Sequence, residues 1–312
     1  MAARVVYFGN SQSAFSNRHF RALMDTSCEL AAVVDVPPSW RTSTNPAAGT
    51  LPSFVHVARR REVPAFEPSS PNLPEFVETM QGLAPDLLLA AGYSQVLREK
   101  IRSVPRFPPV NLHASLLPAY RGKHPVFWAL RNGERWAGLT AHVMDAGLDT
   151  GDLLYQVRVR VREEDTVVTL YDRIMEQSEN LVGLLVKDAA EGSFQPRAQP
   201  EAGASYYGGV EEHDFRLDWT GDAGVLRRWI HITPGRCFCD ITGSRVFFMD
   251  AQIVGRPGGE APGTLIRLEE SFCEVATGTD ALQVSRVRLN RESLPFRQVC
   301  QEFGLEVGDS IG

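Results

Sequence analysis

Asn111 and His113 stand two positions apart in the apolar segment Pro109 to His113. In an extended chain, residues i and i+2 face the same side, so this segment presents an amide and an imidazole together. Further along lies Met144-Asp145-Ala146-Gly147-Leu148-Asp149-Thr150-Gly151-Asp152, with two glycines and three aspartates in nine residues. That composition reads as a tight acidic loop. An amide, an imidazole and a carboxylate together suit acyl transfer to an amine. The amide can donate to an oxyanion while a tetrahedral centre forms. The imidazole, whose unperturbed pKa is about 6.5, can move a proton at neutral pH. A carboxylate can orient the imidazole, raise its pKa or hold a proton-relaying water. No Ser or Cys nucleophile is required if the amine attacks directly.

Short apolar runs alternate with helix-like stretches through the first half. Arg4 to Phe8, Leu30 to Val36, Asp86 to Ala91 and Pro109 to His113 read as strands, and Leu139 to Met144 and Leu153 to Val161 add two more. The pattern predicts an α/β domain with a Rossmann-like, mainly parallel sheet. Ligands bind at the carboxyl ends of strands in such a sheet. His113 and the acidic loop are therefore expected side by side at carboxyl ends. Asn10 and Ser11, at the end of the first strand, are candidates for the approach of the acceptor. Val157, Val159 and Val161 alternate with Arg158, Arg160 and Arg162, which predicts one buried and one wet face. A long helix follows, capped by Asp165 or Thr166 and ended by Gly192, with Val167, Leu170, Tyr171, Ile174, Leu181, Leu184 and Leu185 as its apolar stripe.

Gly192 to Ser205, rich in Pro, Gly and Ala, reads as a linker. Beyond it come short strands separated by turn signals: Cys237 to Ile241, Arg245 to Ile253, Gly263 to Ile266, Ser271 to Ala276 and Leu282 to Arg288. They predict a small β-barrel, OB-like in size. The expected domains are thus 1–203 and 204–312.

Composition narrows the function classes. The chain has 312 residues, 43% hydrophobic and 22% charged, which is globular rather than disordered. There is no apolar stretch of membrane-spanning length, and MAARVVYFGNSQ lacks a signal-peptide pattern. Five cysteines are too few for a disulfide framework, so a cytoplasmic setting is expected. The single Gly9 after the first strand disfavours a dinucleotide site, and no Walker loop occurs. No Cys/His spacing resembles a zinc site, so no metal is expected. Cys237 and Cys239 read as packing residues, Phe15 and Phe20 as core, Arg59 to Arg61 as a solvated face, and Trp219 and Trp229 as barrel core. His142 reads as a core or surface histidine, and His124 as a helix-start residue that could touch the acceptor. Arg121 with Gly122 is an anion contact near the pocket mouth, or Arg121 is a plain surface arginine.

Two segments carry a more specific likeness. NLHASLLPAYRGKHPVFWAL and HVMDAGLDTGDLL resemble the folate-dependent formyltransferase family in the Asn-x-His pair, the Ser-Leu-Leu-Pro turn and the Leu-Asp-x-Gly loop. The resemblance covers roughly residues 1–200 and continues more weakly through Phe215-Arg216-Leu217-Asp218-Trp219 into the barrel. It implies 10-formyltetrahydrofolate as co-substrate. It further implies that Asn111 polarises the formyl oxygen, His113 shuttles the proton and Asp149 pairs with His113 or its water. Ser115, Leu116, Leu117 and Pro118, with the loop of Asp145, Gly147 and Leu148, would line the folate pocket. Ala91 to Leu97, including Tyr93 and Leu97, would help to hold the pterin.

Charge bears on the acceptor. The chain carries −6, and residues 204–312 carry eleven Arg, no Lys and sixteen acids, a net of −5. A tRNA-binding barrel is expected to offer a basic stripe. The region after the second strand, PPSWRTSTNPAAGTLPS, holds a single Arg41 where tRNA formyltransferases carry a Lys/Arg-rich loop. These features favour a small primary amine, such as that of an amino sugar nucleotide or a specialised metabolite. Initiator methionyl-tRNA is the alternative, and a non-catalytic folate-binding module is a third reading. The barrel could serve acceptor binding, homodimer contacts or cover for the sheet.

Overall fold

The computed structural model describes residues 1–40, 53–255 and 258–312. The stretch expected to be poor in basic residues around Arg41 lies outside them. The chain divides into two compact units. The first comprises Met1–Val126, Arg135–Val161 and Val168–Gly208, and the second Phe127–Glu134, Arg162–Val167 and Gly209–Gly312. Among the described residues no helix is long and apolar enough to cross a membrane.

The first unit is built on strands β1 (Arg4–Gly9), β2 (Glu29–Asp35), β3 (Ala65–Phe66), β4 (Leu87–Ala91), β5 (Val110–His113), β7 (Trp136–Val143) and β8 (Leu153–Arg160). Their order in the sheet is β3-β2-β1-β4-β5-β7-β8. The run from β3 to β5 is parallel, while β7 pairs antiparallel with β5 and β8 with β7. Helices α1 (Ala14–Met24), α2 (Phe54–Arg60), α3 (Pro74–Gly82), α4 (Glu99–Arg102), α5 (Pro125–Arg131) and α6 (Val167–Glu191) connect or follow these strands. The central strands are apolar on both faces because both are covered. Tyr7 packs against Phe20 and Phe54 on one side, and Val6, Phe8, Leu88 and Ala90 meet Phe76, Met80 and Ile101 on the other. Phe15 and Phe20 are core residues, as their spacing predicted. β8, at the sheet edge, exposes Arg158 and Arg160. Helix α6 buries Leu170, Ile174, Leu181 and Leu185, whereas Leu184, expected in the same stripe, is exposed.

The expected linker is not slack. Strand β6 (Arg121–Gly122) pairs in parallel with β9 (Tyr206–Tyr207), and Arg197 bridges Leu153. Ser205 Oγ accepts from the Tyr120 N–H, and the Tyr120 and Tyr207 rings stack at 5.1 Å. Backbone pairing thus straps this polar, proline-interrupted segment to the first unit.

The second unit holds helices α7 (Ala223–Ile232) and α8 (Phe296–Glu302) and two four-stranded sheets. One is β10 (Phe238–Ile241), β11 (Ser244–Phe248), β16 (Arg286–Leu289) and β17 (Glu292–Pro295). The other is β12 (Gln252–Val254), β15 (Ala281–Val284), β14 (Cys273–Ala276) and β13 (Leu265–Leu268). All these pairings are antiparallel. Arg245 to Ile253 and Leu282 to Arg288, each expected as one strand, are each split between the two sheets. The breaks meet at a shared corner, where Asp250 Oδ1 accepts from both the N–H (2.7 Å) and the hydroxyl (3.1 Å) of Ser285. Side-chain bonding to backbone competes with the ladder there, a local event that apolar runs do not reveal. Trp219, Cys237 and Cys239 lie in the core between the sheets. Burial pushes the Cys237 thiol up to about 11 and that of Cys239 to about 12, which suits packing rather than reactivity.

Candidate active site

β5 sets the first two groups. Asn111 and His113 project from the same face, and the register places Asn111 opposite His142 and His113 opposite Thr140 on β7. Thr140 binds the turn after β5: its hydroxyl donates to Ser115 O (2.7 Å) and accepts from the Leu117 N–H (3.1 Å). Because β7 runs antiparallel to β5, its carboxyl end lies by the amino end of β5. The acidic loop therefore does not sit beside His113 by strand polarity, as the sequence suggested. It turns back instead, and Asp149 comes over the face that carries Asn111, His113 and His142.

The Asp149 carboxylate is the hub. Oδ2 accepts from the Gly122 N–H at 2.9 Å and lies 3.6 Å from His113 Nδ1. Oδ1 lies 3.4 Å from His142 Nε2 and from Asn111 Nδ2. Asn111 Nδ2 also stands 3.2 Å from His142 Nε2. Both histidines and Asp149 are buried.

Carbonyl partners decide the imidazole tautomers. His113 Nε2 sits 2.8 Å from Tyr120 O, and His142 Nδ1 sits 2.9 Å from Val143 O. A carbonyl only accepts, so these nitrogens carry the protons. Neutral His113 then holds its lone pair on Nδ1, facing Asp149. His142 Nε2 faces both the Asn111 amide and Oδ1 of Asp149. Burial pushes the His113 pKa below its ordinary value, against the opposing pull of Asp149. It is therefore an uncharged base at neutral pH. Burial favours the protonated form of Asp149, but hydrogen bonding to His142, the charge of both histidines and the Gly122 N–H outweigh it and hold the carboxyl at about 2. The cluster thus offers a neutral base next to a permanent anion, with an amide N–H held only at 3.4 Å. Such a set can take a proton from an attacking amine and steady a developing oxyanion.

Residues 3–185 match the formyl transferase family, and residues 210–304 match the family's C-terminal domain. The chain belongs to the formyl transferase family. The methionyl-tRNA formyltransferase of Citrifermentans bemidjiense is 30% identical to this formyltransferase over 99% of the present chain and 96% of its own. Among solved structures, an N-formyltransferase from Helicobacter canadensis in complex with folinic acid and dTDP-3-aminofucose aligns with a TM-score of 0.63 at 14% identity, over 91% of this chain and 99% of that one. HypX from Aquifex aeolicus in complex with tetrahydrofolic acid aligns with a TM-score of 0.59 at 18% identity. The formyltransferase aligns over 98% of its own length there but spans only 48% of HypX. These structural likenesses show the shared fold.

The other residues singled out from the sequence fall into distinct roles. Asp145 accepts from Thr150 Oγ1 and the Gly147 N–H, so it shapes the loop that carries Asp149. A Cβ on Gly147 would lie 2.0 Å from Thr150 Oγ1, which is why glycine stands there. Leu148, at the loop tip, is exposed. Ser115 Oγ donates to Ala119 O, and the turn closes through a cis Leu117–Pro118 bond. Leu116 packs against Gly138 of β7. Tyr93 lies edge-on to Phe8 and donates to Gln95, while Leu97 is part of the hydrophobic core, not of an open pocket wall. Asn10 and Ser11 are buried in the turn after β1. Ser11 donates to Asp35 through both its N–H (2.8 Å) and hydroxyl (2.5 Å), and Asn10 accepts from Gln12. Those polar groups build the turn and bond to none of the Asn111, His113 and Asp149 groups. Arg121 does not project as an anion contact: its Nε and Nη2 donate to Gln199 Oε1 at 3.2 and 2.9 Å. His124 is exposed, with φ of 52° just before α5.

Sequence reasoning passed over Gln199, set His142 aside as a core or surface histidine, and read Gly122 only beside Arg121 as an anion contact rather than as a donor to Asp149. His142 was legible in principle, since it lies two positions before Met144 on the strand leading to the loop. Its opposition to Asn111 depends on a register that apolar spacing leaves open.

Proposed function

We propose that this formyltransferase uses 10-formyltetrahydrofolate to formylate the amine of initiator methionyl-tRNA. The observation that supports formyl transfer at this site is the convergence of Asn111, His113 and Asp149, distant in the chain, on one face of β5 and β7. The acceptor reading rests on likeness along nearly the whole chain to a methionyl-tRNA formyltransferase. The Helicobacter canadensis complex holds folinic acid, which supports a folate co-substrate, together with an amino sugar nucleotide, the acceptor class of the second reading below.

The residues divide the work as follows. The acceptor amine forms a C–N bond to the formyl carbon. Asn111 donates its loosely held N–H to the oxygen that gains charge. His113 accepts the amine proton at Nδ1, and the Asp149 carboxylate stabilises the imidazolium. When the bond from the formyl carbon to the folate nitrogen breaks, that proton passes to the departing nitrogen. In this reading Ser115 to Pro118 and Asp145 to Leu148 receive the folate. Residues 1–203 supply the chemistry in this scheme, and 204–312 bind the acceptor.

The second unit supports an RNA acceptor despite its net negative charge. Register places Phe238, Asp240, Arg245, Phe247, Arg286, Arg288 and Ser293 on one face of the β10-β11-β16-β17 sheet. Arg245 lies 4.0 Å over Phe238, and Arg288 lies 4.0 Å over Phe247. Folding thus gathers arginines that are scattered in the sequence; Phe238 is buried beneath Arg245, which pairs with Asp240 and Glu212, so Arg286 and Arg288 are the cations this face offers to a phosphate. A small primary amine is the second reading, favoured by the −5 charge of residues 204–312. The test is a mass-spectrometric search for a +28 Da product (one CO added) with 10-formyltetrahydrofolate and either charged initiator tRNA or a panel of amino sugar nucleotides. Product on tRNA alone supports the first reading, product on a sugar alone the second, and none on any acceptor overturns formyl transfer.

A further inference from the structure

Gln199 lies in the strap that the sequence presents as a linker, and its side-chain amide is fully engaged. Nε2 has two protons and finds two carbonyls, Asp149 O at 2.9 Å and Gly151 O at 2.7 Å. Oε1 accepts from Nε and Nη2 of Arg121. This pattern fixes the amide's orientation, because a flip would set Oε1 against two carbonyl oxygens and Nε2 against a guanidinium. Arg121 is itself held, with little side-chain exposure and only a distant, largely solvent-exposed neighbour in Glu201 at 3.9 Å.

The residue following Arg121 closes a ring. Gly122 donates its N–H to the Asp149 carboxylate, while Arg121 reaches the Asp149 carbonyl through Gln199. Asp149 is thereby gripped at both ends, side chain and backbone, by two consecutive residues of β6. The grip counts because Asp149 has a φ of 57°, a left-handed conformation that aspartate tolerates better than most residues but does not favour unaided. β6 is in turn paired with β9 of the same strap.

We propose that Gln199 is a positioning residue: its amide clamps the Asp149–Gly151 turn and so aims the Asp149 carboxylate at His113 and His142. This rests on the proposed formyl transfer only for its activity readout. Released from the clamp, the loop relaxes and the carboxylate moves from its 3.6 Å approach to His113 Nδ1. The charged groups facing His113 are Asp149, which raises its pKa, and His142, which opposes it. Moving Asp149 away therefore lowers the His113 pKa further.

The experiment compares wild type with Gln199→Ala and Gln199→Glu; the second keeps the size and the arginine contact but has no N–H to donate. Both variants are expected to lose about 10- to 100-fold in kcat, the range a misplaced catalytic group produces, with KM for 10-formyltetrahydrofolate and acceptor changed less than about threefold. NMR titration of the His113 ring is expected to show its pKa lowered in both. In an Asp149→Asn background, Gln199→Ala is expected to cost less than about threefold more. Wild-type kcat in both variants, an unmoved His113 titration in a folded variant, or a fully additive loss would each overturn the proposal. The titration needs no turnover. Absence of product from wild type together with a shifted His113 titration would defeat the functional reading and leave the positioning role standing.

Discussion

Asn111 and His142 face each other directly across the antiparallel β5–β7 pair, and both reach Oδ1 of Asp149 at 3.4 Å. One carboxylate oxygen is thus shared by the amide and the second histidine, while the other serves His113 and the Gly122 N–H. Removing any member leaves buried polar atoms of the others unpaired.

The first expectation concerns the three central side chains. Asn111→Ala should lower kcat by on the order of 10²–10³-fold if its N–H meets the oxyanion. His113→Ala and Asp149→Ala should each cost about 10²-fold or more through lost proton transfer. Steady-state kinetics with a saturating donor checks this, and near-normal turnover in any variant would remove that residue from the mechanism.

His142 should be separable from these. Its loss takes one hydrogen-bonding partner from Asn111 and one from Asp149, so His142→Ala should lower kcat about tenfold, the scale of one such bond. The Asp149 pKa should rise, because His142 bonding is the foremost of the influences holding it down. An Asp149 carboxyl titration by 13C NMR that matches wild type would show that His142 only fills space.

Acid should disable the enzyme before it unfolds it. Burial lowers the His113 pKa, so the residue is neutral at pH 7, and kcat/KM should fall below about 6.5 as it gains its proton. Stability follows in the same direction. His113 binds a proton more readily unfolded than folded, so its contribution is present above about 6.5 and is lost as pH falls below that. Asp149, held at about 2 against an ordinary 3.8, contributes about 2 kcal/mol above pH 4 that disappears as pH falls towards 2. In an Asp149→Asn variant, urea unfolding should show a shallower loss of stability between pH 5 and 2.

Gly122 should tolerate no side chain. Its φ is 100°, and an added Cβ would lie 2.2 Å from Tyr207 O. Gly122→Ala should part β6 from β9, destabilise the protein by about 1–3 kcal/mol and reduce kcat by moving the N–H that binds Asp149. Equal Tm and kcat in wild type and variant would contradict this account.

Acceptor choice should register in salt dependence. If the arginine and aromatic face of β10, β11 and β16 binds RNA, raising salt from 50 to 200 mM should weaken tRNA binding by about tenfold or more, and Arg288→Ala should flatten that slope. Salt-insensitive formylation of tRNA would argue that this face is not used.

Much of the site is legible in the amino-acid sequence itself. Asn111 and His113 share a face because strand geometry has a period of two, and the glycines flanking Asp149 announce a turn whatever surrounds it. The apolar runs of β1, β2, β4 and β5 announce a buried parallel sheet for the same local reason. Tertiary structure decided what depends on register and strand polarity. The antiparallel course of β7 set His142 opposite Asn111 and required the acidic loop to fold back over the sheet. It was also the fold that brought Gln199 from an apparently irregular linker to the Asp149 carbonyl, split the barrel strands at Asp250 and Ser285, and collected scattered arginines on one face. Backbone periodicity is written in neighbouring residues, whereas pairing between distant segments depends on the packing of the whole chain, and no local pattern encodes it.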